Sequence, residues 1–598
     1  MDNFLPYYEQ ELGILRRAAQ QFGRQFPDIA AELLLSGGES GDPQVERLLQ
    51  SAALLNARVA QQLDDGHVRF TSALLEMLES HYGRPLPSCS VAQVDFGQRD
   101  IATATATIVP RGTAMKALAA PDCRFRTAYD VTIAPVAIVE ARFVPGIDVP
   151  AALGVPLQAG CELRIGLAST GAGLALRDCG VASLRVYVDG GGPLRAALLD
   201  AIFTRALCAC VEAGKQWRML PAPPCRAVGH DERDALLATD NASTSGLRLL
   251  TEYFAFPDKF DFFDIDITAL LNGCPADARQ AVLHLVLPDL RDTAVPRLLR
   301  ALGAGHLRLG CTPIVNLFEE APAPIRVTVP QRGCELTANG EDRDLYSIDA
   351  VRLQYRRNGS SVSVDLAPFH SLQRTQDQQY WLARTVETIL GTEQTLSFVD
   401  ADQAPLDIEE GYAHVRLTCT NGSAPMSIQR GRKDGDLTCE HAAGGYPIRM
   451  LRQPTQPGRA ATQRGAHWKV IAALSPNYHR LTNDGLPELL ATLRLHAPPN
   501  SAIARRQLAG IVGLAHHATA AWLTFAQGAS YLHGVEIHVT VDEEAFGERS
   551  LHAFAQVLDR FFAYYVHSTS FTRLVILSAA TGQERLRCAP RAGTVLPI

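Results

Sequence analysis

Leu5, Tyr8, Leu12, Leu15, Ala19, Phe22 and Phe26 recur in alternating steps of three and four, with Glu9, Glu11, Arg16, Arg17 and Arg24 between them. That spacing predicts an amphipathic helix with a heptad seam, ended by Pro27. A second helix is predicted from Asp42-Pro43, because Asp accepts hydrogen bonds from the first unpaired amides and Pro tolerates the first helical position. Its seam runs Val45, Leu48, Ala52, Leu55 and Val59. Asp64-Asp65-Gly66 predicts an interruption, then a third helix through Phe70, Leu74, Met77, Leu78 and His81, stopped by Pro85 and Pro87. These seams suit a bundle closed within the chain or one shared with another chain. Their place at one end, followed by a long stretch of strand-like pattern without a matching helical partner, favours the shared bundle.

From Ser90 to Gly192 the pattern turns to short alternating runs, such as Ala102 to Val109, Val131 to Val139 and Leu163-Arg164-Ile165, bounded by Pro and Gly. Pro193 to Glu212 reads as a helix through Leu194, Leu198, Leu199, Ile202 and Leu207. The block to Pro324 mixes helices with strands such as Val282 to Leu287. Strands return from Ile325, and Gly422 to Arg464 reads as long loops with a few edge strands. At the end, Val535, Ile537, Val539 and Val541 alternate with polar residues. Leu551, Phe554, Leu558, Phe561 and Tyr565 take helical steps, and Leu574 to Leu577 is a buried strand. The expected class is a multidomain α+β chain: a helical segment over residues 1–88, a β-rich domain over 89–192, a mixed domain over 193–324, a β-rich domain over 325–470 and an α+β domain over 471–598.

Composition narrows the function classes. Over 598 residues, 56 Lys and Arg stand against 63 Asp and Glu, a formal charge of -7, so bulk electrostatics give no case for nucleic acid or an anionic membrane. Thirteen cysteines are scattered mostly singly, which suits a reducing compartment better than a disulfide framework. Met1 to Pro6 lacks the basic start and apolar stretch of a secretory signal, so a cytosolic location is expected. Leu508 to Ala526 carries no formal charge and is long enough to cross a bilayer. Its histidines, threonines and glycines mark it as a buried helix or strand pair instead.

The usual chemistries find little footing. Gly214-Lys215 lacks the rest of a phosphate loop, and Gly528 to Gly534 has the wrong spacing for a nucleophile elbow. Cys208-Ala209-Cys210 lies in the apolar stretch read as helix, and Cys419, Cys439 and His441 give at most three separated ligands. His516 and His517 are adjacent and so face different directions. Asp542-Glu543-Glu544 sits between a strand and a helix, where acids serve the helix start. The run Phe254 to Asp264 alternates large apolar and charged residues, a pattern that fits a core edge or an exposed anchor equally. No catalytic residue, cofactor or metal is expected. The rival classes are a hydrolase-like enzyme with a site assembled from distant residues, and a homo-oligomeric binding module.

Leu5-Pro6-Tyr7-Tyr8-Glu9-Gln10-Glu11-Leu12, Asp42-Pro43-Gln44-Val45-Glu46-Arg47-Leu48, Leu250 to Phe260, Cys311 to Phe318, Val541 to Phe546 and Ser570-Phe571-Thr572 fall in order along nearly the whole chain. In that order the sequence resembles the type VI secretion system baseplate subunit family TssF, also called ImpG or VasA. It departs from the family at His533-Gly534 and between Gly422 and Arg464. The resemblance implies a non-catalytic, cytoplasmic scaffold of phage baseplate wedge-like fold, docked to the inner-membrane secretion complex without entering the membrane. It implies two copies of this chain with one TssG, contacts to TssE, to the adaptor TssK and to the VgrG spike hub, and a platform for tube and sheath assembly. On this reading Leu5, Tyr8, Leu12, Leu15, Phe22, Val45, Leu48 and Leu55 pack in an intersubunit bundle. Phe254, Phe256 and Phe260 support the central domain or a wedge contact.

Overall fold

The computed structural model describes residues 5–594 apart from 33, 37–38, 79–83, 97–105, 121, 172, 238–244, 292, 329–333, 337–342, 358–359, 370–378, 389–390, 407, 409, 440–445, 459–467, 469, 473–484 and 526–527. His81, His441 and Ala102 to Thr105, named above, lie outside the described residues, as do the side chains of Phe70, Met77 and Leu78. The chain divides into two compact units, residues 1–79 with 462–474, and residues 80–461 with 475–598.

The small unit is built on helix α1, Leu5–Gln25, and helix α2, Pro43–Leu78. The main-chain N–H of Gln44 donates to Asp42 Oδ1 at 2.8 Å, so Asp42 caps α2 as its position before Pro43 predicts. Pro27 ends α1 and opens a six-residue helix, Pro27–Glu32. The predicted interruption at Asp64-Asp65-Gly66 is corrected: α2 runs 36 residues without a break, and the second and third predicted helices are one. A single glycine weakens a helix by only about 1 kcal/mol, which the apolar pattern on either side outweighs.

In the large unit the sheets join segments far apart in sequence. A closed barrel takes in order Cys311–Val315, Cys89–Val94, Ile448–Met450, Leu437–Cys439, Ala114–Ala117 and Arg124–Thr127. A five-stranded antiparallel sheet runs Gln216–Met219, Cys208–Ala213, Gln280–Pro288, Ala159–Ser169, Val136–Val144. Strands of the expected 89–192 and 193–324 domains therefore share one sheet, and two strands of the supposed loop region close the barrel. The boundaries at 192 and 324 are not breaks in the fold, because hydrogen-bonded ladders close between distant segments that local periodicity cannot connect. The helix expected over Pro193 to Glu212 is also shorter, Gly192–Asp200. Cys208–Ala213 pairs along Gln280–Pro288 as a buried strand, so Cys208 and Cys210 stand on a strand and not a helix.

The last segment reads as expected. Strand β1, Ile511–Phe525, forms a long hairpin with β2, Gly528–Val541, and β2 pairs in parallel with β3, Phe571–Ser578. Between β2 and β3 runs helix α4, Leu551–Ala563, which packs on β3 and on helix α3, Ser245–Ala255. Val535, Ile537, Val539 and Val541 are buried, as are Leu551, Phe554, Leu558 and Phe561. Ser550 Oγ accepts from Ala553 N at 3.1 Å, and half-buried Asp200 accepts from Ser550 Oγ and from the N–H groups of Leu551 and His552. Those bonds satisfy the unpaired amides of the α4 start. No helix among the described residues is long and apolar enough to cross a membrane.

Candidate protein-interaction surface

Along α2 the apolar residues divide between two faces by size. Glu46, Gln50, Ala53 and Ala57 recur in steps of four and three and so share one face. Arg16 of α1 reaches Glu46 at 3.0 Å, and Gln50 Nε2 donates to the same carboxylate at 3.2 Å, which turns this face toward α1. Ala53 and Ala57 are fully buried. Small side chains let two helix backbones approach closely, so the hairpin closes on alanines.

The predicted seam lies on the other side. At about 100° per residue, Leu48, Ala52, Leu55 and Val59 cluster in a stripe roughly opposite Ala53 and Ala57. Leu48 is 70%, Leu55 66% and Val59 55% exposed. Val45 is half-buried at the rim. On α1, Tyr8, Leu12, Leu15 and Phe22 are half-buried, Leu5 is exposed, and none of the helix is fully buried. A stripe of exposed leucines and valine at coiled-coil spacing is the kind of surface that monomeric folds avoid and helical partners cover. Sequence periodicity found this stripe but not the alanine face, since alanines at steps of three and four carry little hydrophobic signal.

Phe254, Phe256 and Phe260 lie elsewhere and face inward. All three are buried in the large unit. Phe256 packs in one core cluster with Tyr129, Tyr187 and Phe262, and the Phe260 ring centroid lies 5.6 Å from that of Tyr253. An exposed anchor formed by these rings is thereby corrected. The charged members of the run explain the alternation. Asp258 accepts from Arg195 at 2.5 Å and from Arg452 at 3.0 Å, Asp261 pairs with Arg195, and Arg185 grips Asp264 at 2.8 and 3.0 Å. Lys259, wholly buried, pairs with Glu252, whose other oxygen accepts the N–H groups of Leu236 and Leu237 at 3.0 Å each. Burial pulls the Lys259 ammonium below its usual range against the attraction of Glu252.

A cleft of about 240 Å³ opens beside this network, lined among others by Arg195, Tyr253, Asp258, Asp261, Glu548 and Arg549. Burial pushes the Asp261 carboxyl up to about 7 despite Arg195. Asp258 and Asp261 are both engaged by Arg195, which makes the pair a structural tie.

The remaining candidates have structural places. His517 lies on β1 with its ring 4.7 Å from His538, which contacts Glu536 at 2.9 Å. Asp542 accepts from Glu544 N at 3.1 Å, capping the short helical turn Glu543–Phe546. Cys419 is buried in the strand Glu410–Thr420. Among the described residues no cluster of three or more His, Cys, Asp or Glu is placed to hold a metal ion. The uncharged stretch around Ala518 is a strand whose outer end is open to solvent. Trp522 and Tyr531 pair across the hairpin at 5.5 Å while exposed, a feature missed because the absence of charge reads as burial.

The family model described as "Type VI secretion system, TssF" matches residues 1–595. The chain is 29% identical over 611 aligned positions to the type VI secretion system component TssF1 of Pseudomonas aeruginosa strain PAO1, covering 97% of each. Its fold is similar to a chain of a type VI secretion system TssK-TssF-TssG baseplate subcomplex seen by cryo-electron microscopy, with TM-score 0.70 and 23% identity over 92% of this chain and 100% of that one. A chain of a type VI secretion baseplate complex aligns with TM-score 0.58 and 22% identity over 99% of this chain and 100% of that one.

Proposed function

The chain belongs to the type VI secretion system TssF family, and from that premise we propose that it is a structural subunit of the secretion baseplate. In this role it joins a TssG-like subunit, a TssK-like adaptor and a second copy of itself into a wedge of two such chains to one TssG. Wedges so built surround a VgrG spike hub, contact TssE, and form the platform for tube and sheath on the cytoplasmic side of the inner-membrane complex. The chain acts through protein contacts and not through catalysis.

One observation supports this reading above the others: the apolar stripe of α2, Leu48, Ala52, Leu55 and Val59, is left exposed while the alanine face closes on α1. A helix that buries its alanines and presents its leucines is arranged to complete a bundle with another chain. The test is coexpression with the TssG-like protein of the source organism, purification through a tag on that partner, and native mass spectrometry. A complex with two copies of this chain to one partner is expected. Recovery of the partner alone, with this chain soluble in the flow-through, would overturn the proposal.

A further inference from the structure

Strand β1, Ile511–Phe525, stands at the end of its sheet: β2 pairs along one side of it, and no strand among the described residues pairs along the other. An edge of this length presents a row of main-chain N–H and C=O groups, and folds ordinarily guard such a row with charged residues, proline or bulges. β1 carries little of this guard. From Ile511 to Gly534 there is neither a charged residue nor a proline, and the one shift of register lies at the inner end, between Ile511 and Gly513. The outer half also carries an aromatic shelf. Ala518, Ala520, Trp522 and Thr524 alternate onto one face. Trp522 is 69% exposed and lies opposite Tyr531 of β2, itself 56% exposed, with ring centroids 5.5 Å apart. Ala518 and Ala520 leave space beside the indole.

We propose that an extended segment of an unlike subunit adds to this sheet as a strand along the outer half of β1. Its main chain takes up the free N–H and C=O groups, and a bulky apolar side chain packs against Trp522 over Ala520. The segment is uncharged over about eight residues, because a charge placed there loses water and finds no counter-ion between Ile511 and Gly534. Size decides against a second copy. About eight residues at roughly 3.3 Å each, along a sheet about 10 Å thick, bury roughly 500 Å² over both partners, less than half of the roughly 1,200 Å² that a stable contact between rigid bodies needs. A segment tethered to a subunit already held in the assembly needs no such area, since the tether raises its local concentration. The inference rests on the reading of the chain as a baseplate subunit, and it names a surface in the large unit and the chemistry of what covers it.

Hydrogen exchange from Ala518 to Thr524, followed by mass spectrometry, reads the edge in the free chain and in the complex copurified with the TssG-like and TssK-like partners. In the free chain alternate amides of β1 point away from β2 and should exchange fast; in the complex they should slow at least about tenfold. A Thr519→Lys, Ala521→Lys chain, which places charges on the edge, should keep fast exchange there when the partners are present. Light scattering of the free chain at micromolar concentration should show a monomer. A dimer of the free chain that the two lysines dissolve would hand the edge to a second copy and overturn the inference. Slowing that persists with both lysines in place would overturn it as well. Unchanged exchange in an intact complex would overturn it and leave the baseplate reading standing, whereas failure of the complex to form would overturn both.

Discussion

Replacing Leu48 and Leu55 together by Asp should destroy assembly while leaving the free chain folded. In the free chain these side chains are 70% and 66% exposed, so folding buries only about a third of each. Full burial of a leucine is worth about 1.5–3 kcal/mol, which puts their contribution to the isolated fold at about 0.5–1 kcal/mol apiece. That corresponds to a shift in unfolding temperature of a few degrees. Covered by a partner helix, the same two leucines would contribute a further amount of about 2–4 kcal/mol, and two unpaired carboxylates in their place add a desolvation penalty of similar size. The combined loss exceeds about 4 kcal/mol, or roughly a thousandfold in affinity, enough to clear the complex from an affinity column. The assay pairs copurification through the partner's tag with circular dichroism melting of the free chain. Unchanged recovery of the complex would refute the reasoning. So would a free chain whose small unit melts many degrees early, since the stripe would then be packed within the chain.

Lys259→Met should destabilise the large unit by about 3–5 kcal/mol in chemical denaturation, because Glu252 would stay buried as a charge without its ammonium; Lys259→Met with Glu252→Gln should recover part of the loss. Gly534→Ala should lower the melting temperature of the large unit, since an added Cβ would meet the Phe571 carbonyl oxygen at 2.4 Å where β2 and β3 pair; a melting curve matching the unsubstituted chain would contradict the packing. Asp261 has a folded pKa raised by burial to about 7, so the stability its protonated form contributes is full below about 4 and lost as pH rises through 7. Asp261→Asn removes that dependence, and its melting temperature relative to the unsubstituted chain should rise between pH 5 and pH 8; a constant or falling difference would contradict the sign.

Much of the local structure was legible. The heptad steps from Leu5, the Asp42-Pro43 start, the alternation of Val535 to Val541 and the helical steps from Leu551 each gave the right element, because large apolar residues recur there at the period of a helix or a strand. Asp64-Asp65-Gly66 misled, since a break was inferred from local propensity where the seam on either side of it continues one helix. The barrel and the five-stranded sheet were illegible for another reason. They join Cys89–Val94 to Cys311–Val315, and Ala159–Ser169 to Gln280–Pro288, and register between distant strands leaves no mark in either strand alone.

The candidate surface was half legible. Periodicity found the stripe but assigned no direction to it; only the pairing of Arg16 with Glu46 and the burial of Ala53 and Ala57 show that the large residues face out. The run from Phe254 to Asp264 was ambiguous because its charges suggested solvent. Arg185, Arg195 and Arg452, far off in sequence, tie those carboxylates down and leave the phenylalanines to the core.

The account stands on α2 being covered by another chain, and a thiol placed at its centre reads this directly. Leu55→Cys is reacted with a maleimide in the free chain and in the purified complex, and the modified peptide is followed by mass spectrometry apart from the native cysteines, most of which are buried. The account predicts fast labelling of Cys introduced at this exposed position in the free chain and labelling at least about tenfold slower in the complex, as burial of a core interface position requires. Equal rates in the two states would contradict it.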